Sequence, residues 1–249
     1  MRTTRIPFAA AVTCAPAIGL AMMLVLWLAT PHASAGEKKT STDRIWTSPD
    51  LAKYAIPSIA MLPPATYDGS AESRKQVEQA VGYALRSSGH RWVSPFLARD
   101  FLEKAGGDSL VKALNDKLLK SPRLDSLDAP LISRTMHTRA LLTVRVDQME
   151  HMELEANQSG RPTTSVQLRA ALVDSTGRLL WTIYSSETAE GSQQDPNANV
   201  IGVKESGLNN TAVGATTGAP TYTEVLEKIG ARWTQAFPKL AAPDSSAAK

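Results

Sequence analysis

The sequence predicts an α/β fold of the α+β type, a mixed sheet ending in an antiparallel meander with helices mainly on one face. Three observations carry that expectation. Apolar residues alternate with polar ones at Leu142, Val144 and Val146, at Val166, Leu168, Ala170 and Leu172, and at Leu179, Trp181 and Ile183, the period of a strand with one buried face. A helical period appears at Val77, Ala80, Val81, Ala84 and Leu85, and again at Val225, Leu226, Ile229 and Trp233. Short strand-like runs, Ser58 to Leu62 and Arg91 to Ser94, flank the first of these helices.

In chain order, Arg2 and Arg5 come first, followed by an uncharged run from Ile6 to Ala35 with an apolar centre from Ile18 to Ala29. The run closes on Ala33-Ser34-Ala35, so residues 1–35 have the basic, apolar, small-residue order of an export signal. Ala33 and Ala35 are small enough for the narrow pockets of a signal peptidase. Two alternatives stay open. Cys14 is the only cysteine, but Thr13 precedes it where a lipobox has a smaller residue, and the apolar centre follows it. The uncharged stretch also exceeds the roughly 20 residues of a spanning helix, so the leader can be retained as an inner-membrane anchor. In either case the arginines stay inside and the body lies outside, which gives a periplasmic location.

Cleavage after Ala35 removes Arg2 and Arg5, taking Lys+Arg from 27 to 25 against 24 Asp+Glu. A body so close to neutral lacks the concentrated basic face that nucleic acid requires. Without Cys14 it has no thiol, which excludes disulfides, zinc-thiolate sites and cysteine nucleophiles from the body.

Residues 36–57 read as a leader segment whose start, Gly36 to Thr42, is polar and disordered. A single domain over 58–240 follows. Its first strand, Ser58 to Leu62, is ended by Pro63-Pro64. The first helix stops at Gly89 and is followed by the strand Arg91 to Ser94. Phe96 to Lys104 and Leu110 to Leu119 read as helices separated by Gly106-Gly107, Pro122 and Pro130 bracket a loop, and Leu131 to His137 makes a further helical turn. In the meander, Asp174-Ser175-Thr176-Gly177-Arg178 supplies a tight hairpin with Gly177 at positive φ. Residues 190–220, poor in large apolar side chains, form a mobile loop. Thr221-Tyr222-Thr223-Glu224 is a capping box that starts the last helix, Pro238 ends it, and 241–249 is a disordered tail.

Candidate chemistry is sparse. Gly107-Asp108-Ser109-Leu110 matches the block that names the GDSL serine esterases, with Ser109 as nucleophile. That chemistry needs the serine on a sharp turn after a buried strand, with a histidine base held by an acid. Here the block lies between two helical stretches and no Asp-x-x-His occurs, so a glycine stop followed by a helix cap explains it more simply. His90 reads as a turn residue and His137 as part of the solvated edge Arg134 to Arg139. His151, Glu153 and Glu155 share one side of an extended strand, where a charged hairpin rim and a metal site call for the same residues. There is no phosphate loop, dinucleotide fingerprint or zinc helix, and no metal or cofactor is expected. The surface offers more: Arg145, Asp147, Gln167, Arg169 and Tyr184 fall on the polar face of the meander, where guanidinium and phenol groups can anchor a protein partner.

Ile59-Ala60-Met61-Leu62-Pro63-Pro64, a helix, Arg91-Trp92-Val93-Ser94, Arg139-Ala140-Leu141-Leu142-Thr143-Val144, and the hairpin Leu172-Val173-Asp174 to Gly177 to Leu179-Leu180-Trp181 follow one another in order. Over about Ser58 to Gly191 this order resembles a Gram-negative envelope module. The module occurs in the TolB amino-terminal domain, the curli-export pore subunit and the lipoprotein activators of penicillin-binding synthases. The resemblance implies a non-enzymatic domain that serves envelope assembly or maintenance by binding another envelope protein. The chain departs from the pattern in two ways: no anchoring cysteine stands in a lipobox, and 190–220 lacks the alternating hairpins of an outer-membrane pore. The expectation is therefore a periplasmic protein-interaction module, with an esterase using Ser109 as the alternative.

Overall fold

Seven strands form one mixed sheet in the computed structural model, in the order β1-β7-β6-β5-β2-β4, with the short β3 pairing alongside β5. The structure describes residues 42–68, 70–155, 157–193 and 218–239. The leader 1–35 with Ala33 and Ala35, most of the 190–220 segment and the 241–249 tail lie outside them. The strands are β1 (Thr42–Thr47), β2 (Ser58–Met61), β3 (Ala65–Thr66), β4 (Arg91–Val93), β5 (Ala140–Met152), β6 (Thr163–Asp174) and β7 (Leu179–Glu190). The helices are α1 (Ala71–Leu85), α2 (Pro95–Lys120), α3 (Asp128–Thr135) and α4 (Tyr222–Ala236). The expected class, a mixed sheet with an antiparallel meander, is what the fold has.

Among the described residues helices cover both faces of the sheet, two on each, instead of mainly one. The cause is topological. From β2 the chain moves outward through α1 to the parallel neighbour β4, then returns through α2 and α3 to β5 on the other side of β2. Parallel crossovers are right-handed almost without exception, so an outward and a returning crossover deposit their helices on opposite faces. One core joins Ile59, Met61, Leu142 and Leu168 to Val77, Val81 and Leu85 of α1 and to Val225, Ile229 and Trp233 of α4. The other joins Ala60, Leu141 and Val173 to Leu102, Leu114 and Leu118 of α2 and Ile132 of α3. Strands β2 and the start of β5 are therefore buried on both faces, as parallel strands are.

Local signals set most element ends. Ser70, Ser94 and Thr221 each accept a backbone N–H three residues on and so cap α1, α2 and α4. Gly89 ends the α1 turn at φ 85°. The two helical stretches expected on either side of Gly106-Gly107 are the halves of α2, kinked where Gly107 leaves the helical region at φ 68°, ψ −172°. The bracketed loop is shorter than expected, because α3 starts at Asp128 and takes Pro130 into its first turn, where a missing N–H removes no helical hydrogen bond. The Asp125 carboxylate supports that start by accepting from the Leu127 and Asp128 amides at 2.9 Å, and these bonds hold its pKa below the ordinary carboxylate value.

The described part of the leader segment, 42–57, carries regular structure. Thr42–Thr47 forms the edge strand β1, antiparallel to β7, and Leu51–Lys53 a short 3-10 turn. Strand β1 is tied down by Arg232 of α4, which reaches Asp43 and, on β7, Glu187, both at 2.7 Å.

Gly177 closes the β6–β7 hairpin at φ 85°, and a methyl group there would sit 2.6 Å from the Asp125 carbonyl oxygen. Gly177→Ala adds the left-handed backbone cost to a collision with main chain, so a loss of about 2 kcal/mol is expected in urea unfolding. Unfolding indistinguishable from the parent protein would show that the hairpin does not dock on the α2–α3 connection.

Candidate functional site

The sequence-predicted residues meet on the α2–α3 face of the meander, where the cover provided by the end of α2 gives way to open sheet. Arg145, Arg169, Tyr184 and Arg44 stand in cross-strand register on β5, β6, β7 and β1. Two arginines directly opposite each other repel. Asp147 resolves this. It occupies a bulge in β5, between the pairs Val146–Leu168 and Gln148–Gln167, and a bulge re-aims the side chain it carries. Its carboxylate accepts from Arg145 Nε at 2.6 Å and from Arg169 Nε at 2.5 Å.

The five residues then divide into two kinds. Arg145 is only 8% exposed and donates from Nη1 to the Leu119 carbonyl at 2.9 Å, compensating the C-terminal end of α2. It and Asp147 fasten α2 to the sheet, so Arg145 is not the accessible anchor that its place in the sequence suggests. Arg169 is exposed, with its guanidinium carbon 5.1 Å from the Tyr184 ring centre. The Tyr184 hydroxyl donates to Gln167 at 3.1 Å, and Arg44 lies over the ring at 6.0 Å.

Two residues that the sequence reading left out complete the surface. Arg44 and Trp46 project from β1, and Trp46 is 46% exposed. With Arg169, Thr182 and Tyr184 they line a shallow depression of about 300 Å³. Their signal was present as a strand-like run, Arg44-Ile45-Trp46-Thr47, placed in the leader segment.

Ser109 is exposed on α2 just past the Gly107 kink, and its hydroxyl donates to the Gly106 carbonyl at 3.0 Å. Among the described residues no imidazole is bonded to it. His90 is buried, with its two ring nitrogens facing the carbonyl oxygens of Ile56 at 2.5 Å and Pro238 at 2.9 Å. It therefore ties the segment leading into β2 to the chain just past α4, beyond the turn role expected of it. His151 contacts Thr164 and Glu153 and stacks beside Tyr222 at 5.6 Å. Glu153 also accepts from the Ala219 amide, so this pair secures the entry to α4. Among the described residues no group of three metal-type ligands converges, and no helix is long and apolar enough to cross a membrane.

Fold and site together define an α/β protein whose mixed sheet leaves a cationic and aromatic patch open on one face. No known family model matches the chain, and no curated protein matches it in sequence. Among solved structures it is similar to the PelC dodecamer from Paraburkholderia phytofirmans, at 14% identity over 81% of this chain and 99% of that one, with a TM-score of 0.40. It is similar also to the lipoprotein GNA1162 from Neisseria meningitidis, at 16% identity over 59% and 94% of the two chains, TM-score 0.41. For the hypothetical protein CT253 from Chlamydia trachomatis the identity is 15%, over 73% and 98%, TM-score 0.36.

Proposed function

We propose that this protein is a periplasmic interaction module that contributes to cell-envelope assembly or maintenance and neither makes nor breaks covalent bonds. One observation carries the docking surface: the ladder of Arg169, Tyr184 and Arg44, extended by Trp46, is accessible on the part of the α2–α3 face that those helices leave open. Arginine and large aromatic side chains are the groups that supply binding energy at protein interfaces. Two arginines and few acids on the patch call for an envelope protein with a carboxylate-bearing surface. The export signal and the resemblance of the β6–β7 hairpin to envelope modules support the location and the setting.

The test is site-specific photocrosslinking in intact cells. A photoreactive phenylalanine at Thr182, inside the depression, should yield one discrete adduct that the same group at exposed Lys75 on α1 does not. Arg169→Glu and Tyr184→Ala should each remove the adduct and lower stability by less than about 1 kcal/mol, since both side chains are partly exposed. No adduct above the Lys75 control sinks the docking face. The non-enzymatic part fails separately, if the purified protein hydrolyses short acyl esters and Ser109→Ala abolishes that activity.

A further inference from the structure

A cavity of about 630 Å³ opens between α1 and the turn from β4 into α2, remote in the sheet order from the face described above. Its walls carry three aromatic rings, Trp92 of β4, Phe96 of α2 and Tyr83 of α1. Two of these are far more exposed than packing requires, Tyr83 at 81% and Phe96 at 68%. Trp92 is held in place by its indole N–H, which donates to the Ser88 hydroxyl at 3.3 Å, and by Phe237, whose ring centre is 5.8 Å away. The size is that of a small-molecule site.

Two features of α1 lack an explanation in the fold alone. Gly82 sits in the interior of the helix, where glycine costs stability relative to alanine. A methyl group at that position would meet nothing within 4 Å, so packing does not demand the glycine. What its missing side chain provides is room in the cavity. Glu78, one turn earlier, also lines the cavity. It is half-buried and makes no hydrogen bond or ion pair among the described residues.

Burial raises the Glu78 carboxyl above its ordinary value, against the opposing pull of Arg74 and Arg99. Those two guanidinium groups are engaged elsewhere, Arg74 with the Ser70 carbonyl and Arg99 with Glu103 at 2.6 Å. A raised acid favours folding in its protonated form. That contribution is complete below the unfolded value near 4.5 and is lost as pH rises through the folded one. The ionised form of Glu78 therefore works against the stability of the fold. Arg86, the cation that also lines the cavity, caps the end of α1 eight residues beyond Glu78, roughly 12 Å along the helix axis.

We propose that this cavity binds a small organic cation, an ammonium group carried on an apolar body, with Glu78 as counter-charge and Trp92, Phe96 and Tyr83 as aromatic walls. A cation held over aromatic faces beside an unpaired carboxylate gains most where both are partly desolvated. The bound cation would supply the partner that Glu78 lacks. Gly82 keeps the space open for the apolar body.

Titration calorimetry of the exported chain with benzyltrimethylammonium tests this, with neopentylbenzene as the uncharged probe of the same shape. Saturable binding of the cation is expected, with the neutral probe at least about tenfold weaker. Glu78→Gln should weaken the cation by about tenfold or more while leaving the thermal midpoint unchanged or higher. Gly82→Leu should abolish binding without lowering the midpoint, because leucine fills open space and is the better helix former. Absence of saturable binding, equal affinity for the two probes, or full affinity in both variants would overturn the proposal.

Discussion

Replacing Trp233 with alanine should cost about 4 kcal/mol. Trp233 is fully buried on α4 and packs edge-on against Trp181 of β7 at 6.2 Å between ring centres. Trp181 in turn meets Phe237 edge-on at 5.0 Å and donates from its indole to the Ala236 carbonyl at 3.1 Å. Alanine would therefore leave a void where α4 rests on the meander. It would also orphan the Ser185 hydroxyl, fully buried on β7, which now accepts from the Trp233 indole at 2.7 Å. A void and an unsatisfied buried group act in the same direction. Trp233→Phe separates them, because it keeps most of the volume and loses the donor, and it should cost less than half as much. Urea unfolding followed by far-ultraviolet circular dichroism reads both variants. A loss under about 1 kcal/mol for the alanine variant would mean that α4 does not depend on this contact.

Asp147→Ala should cost about 3 kcal/mol, although one of the two ion pairs it breaks is partly solvated. The Arg145 and Asp147 side chains are only 10% and 13% exposed. Truncating the acid leaves a buried guanidinium with the Leu119 carbonyl as its remaining partner and faces it with Arg169 across the strand pair. Uncompensated buried charge is far more costly than the loss of a surface pair. Arg169→Ala, whose side chain is 47% exposed, should by contrast stay within about 1 kcal/mol of the parent. Equal losses from the two substitutions, measured by thermal or urea unfolding, would show that Asp147 serves the surface alone and does not hold α2 to the sheet.

The contrast between these aspartate and arginine variants also marks how far the site was legible beforehand. Period-2 alternation placed Arg145, Gln167, Arg169 and Tyr184 on one face of the meander, and they share that face. Alternation says nothing about register. Which arginine stands opposite which tyrosine depends on strand alignment, and a bulge at Asp147 shifts that alignment by one residue. Burial of Arg145 was equally hidden, because its cover comes from the end of α2, 26 residues away. Arg44 and Trp46 were missed for a related reason: a six-residue edge strand has too little pattern of its own and exists because β7 offers it a partner. Gly82 could have been noticed as a glycine inside a helical period, but its meaning rests on the space beside it.

The chain by itself determined the helix caps at Ser70, Ser94 and Thr221, the kink at Gly107, the alternating strands and the positive φ at Gly177. These follow from side chains acting on backbone within a few residues, which needs no knowledge of distant neighbours. Only the tertiary structure decided that helices cover both faces, that Asp147 sits between two arginines, that Gly177 presses on Asp125, and that Glu78 faces a cavity unpaired. Each of these depends on which remote segments the right-handed crossovers and the strand register bring together, and that juxtaposition is a property of the packed chain as a whole.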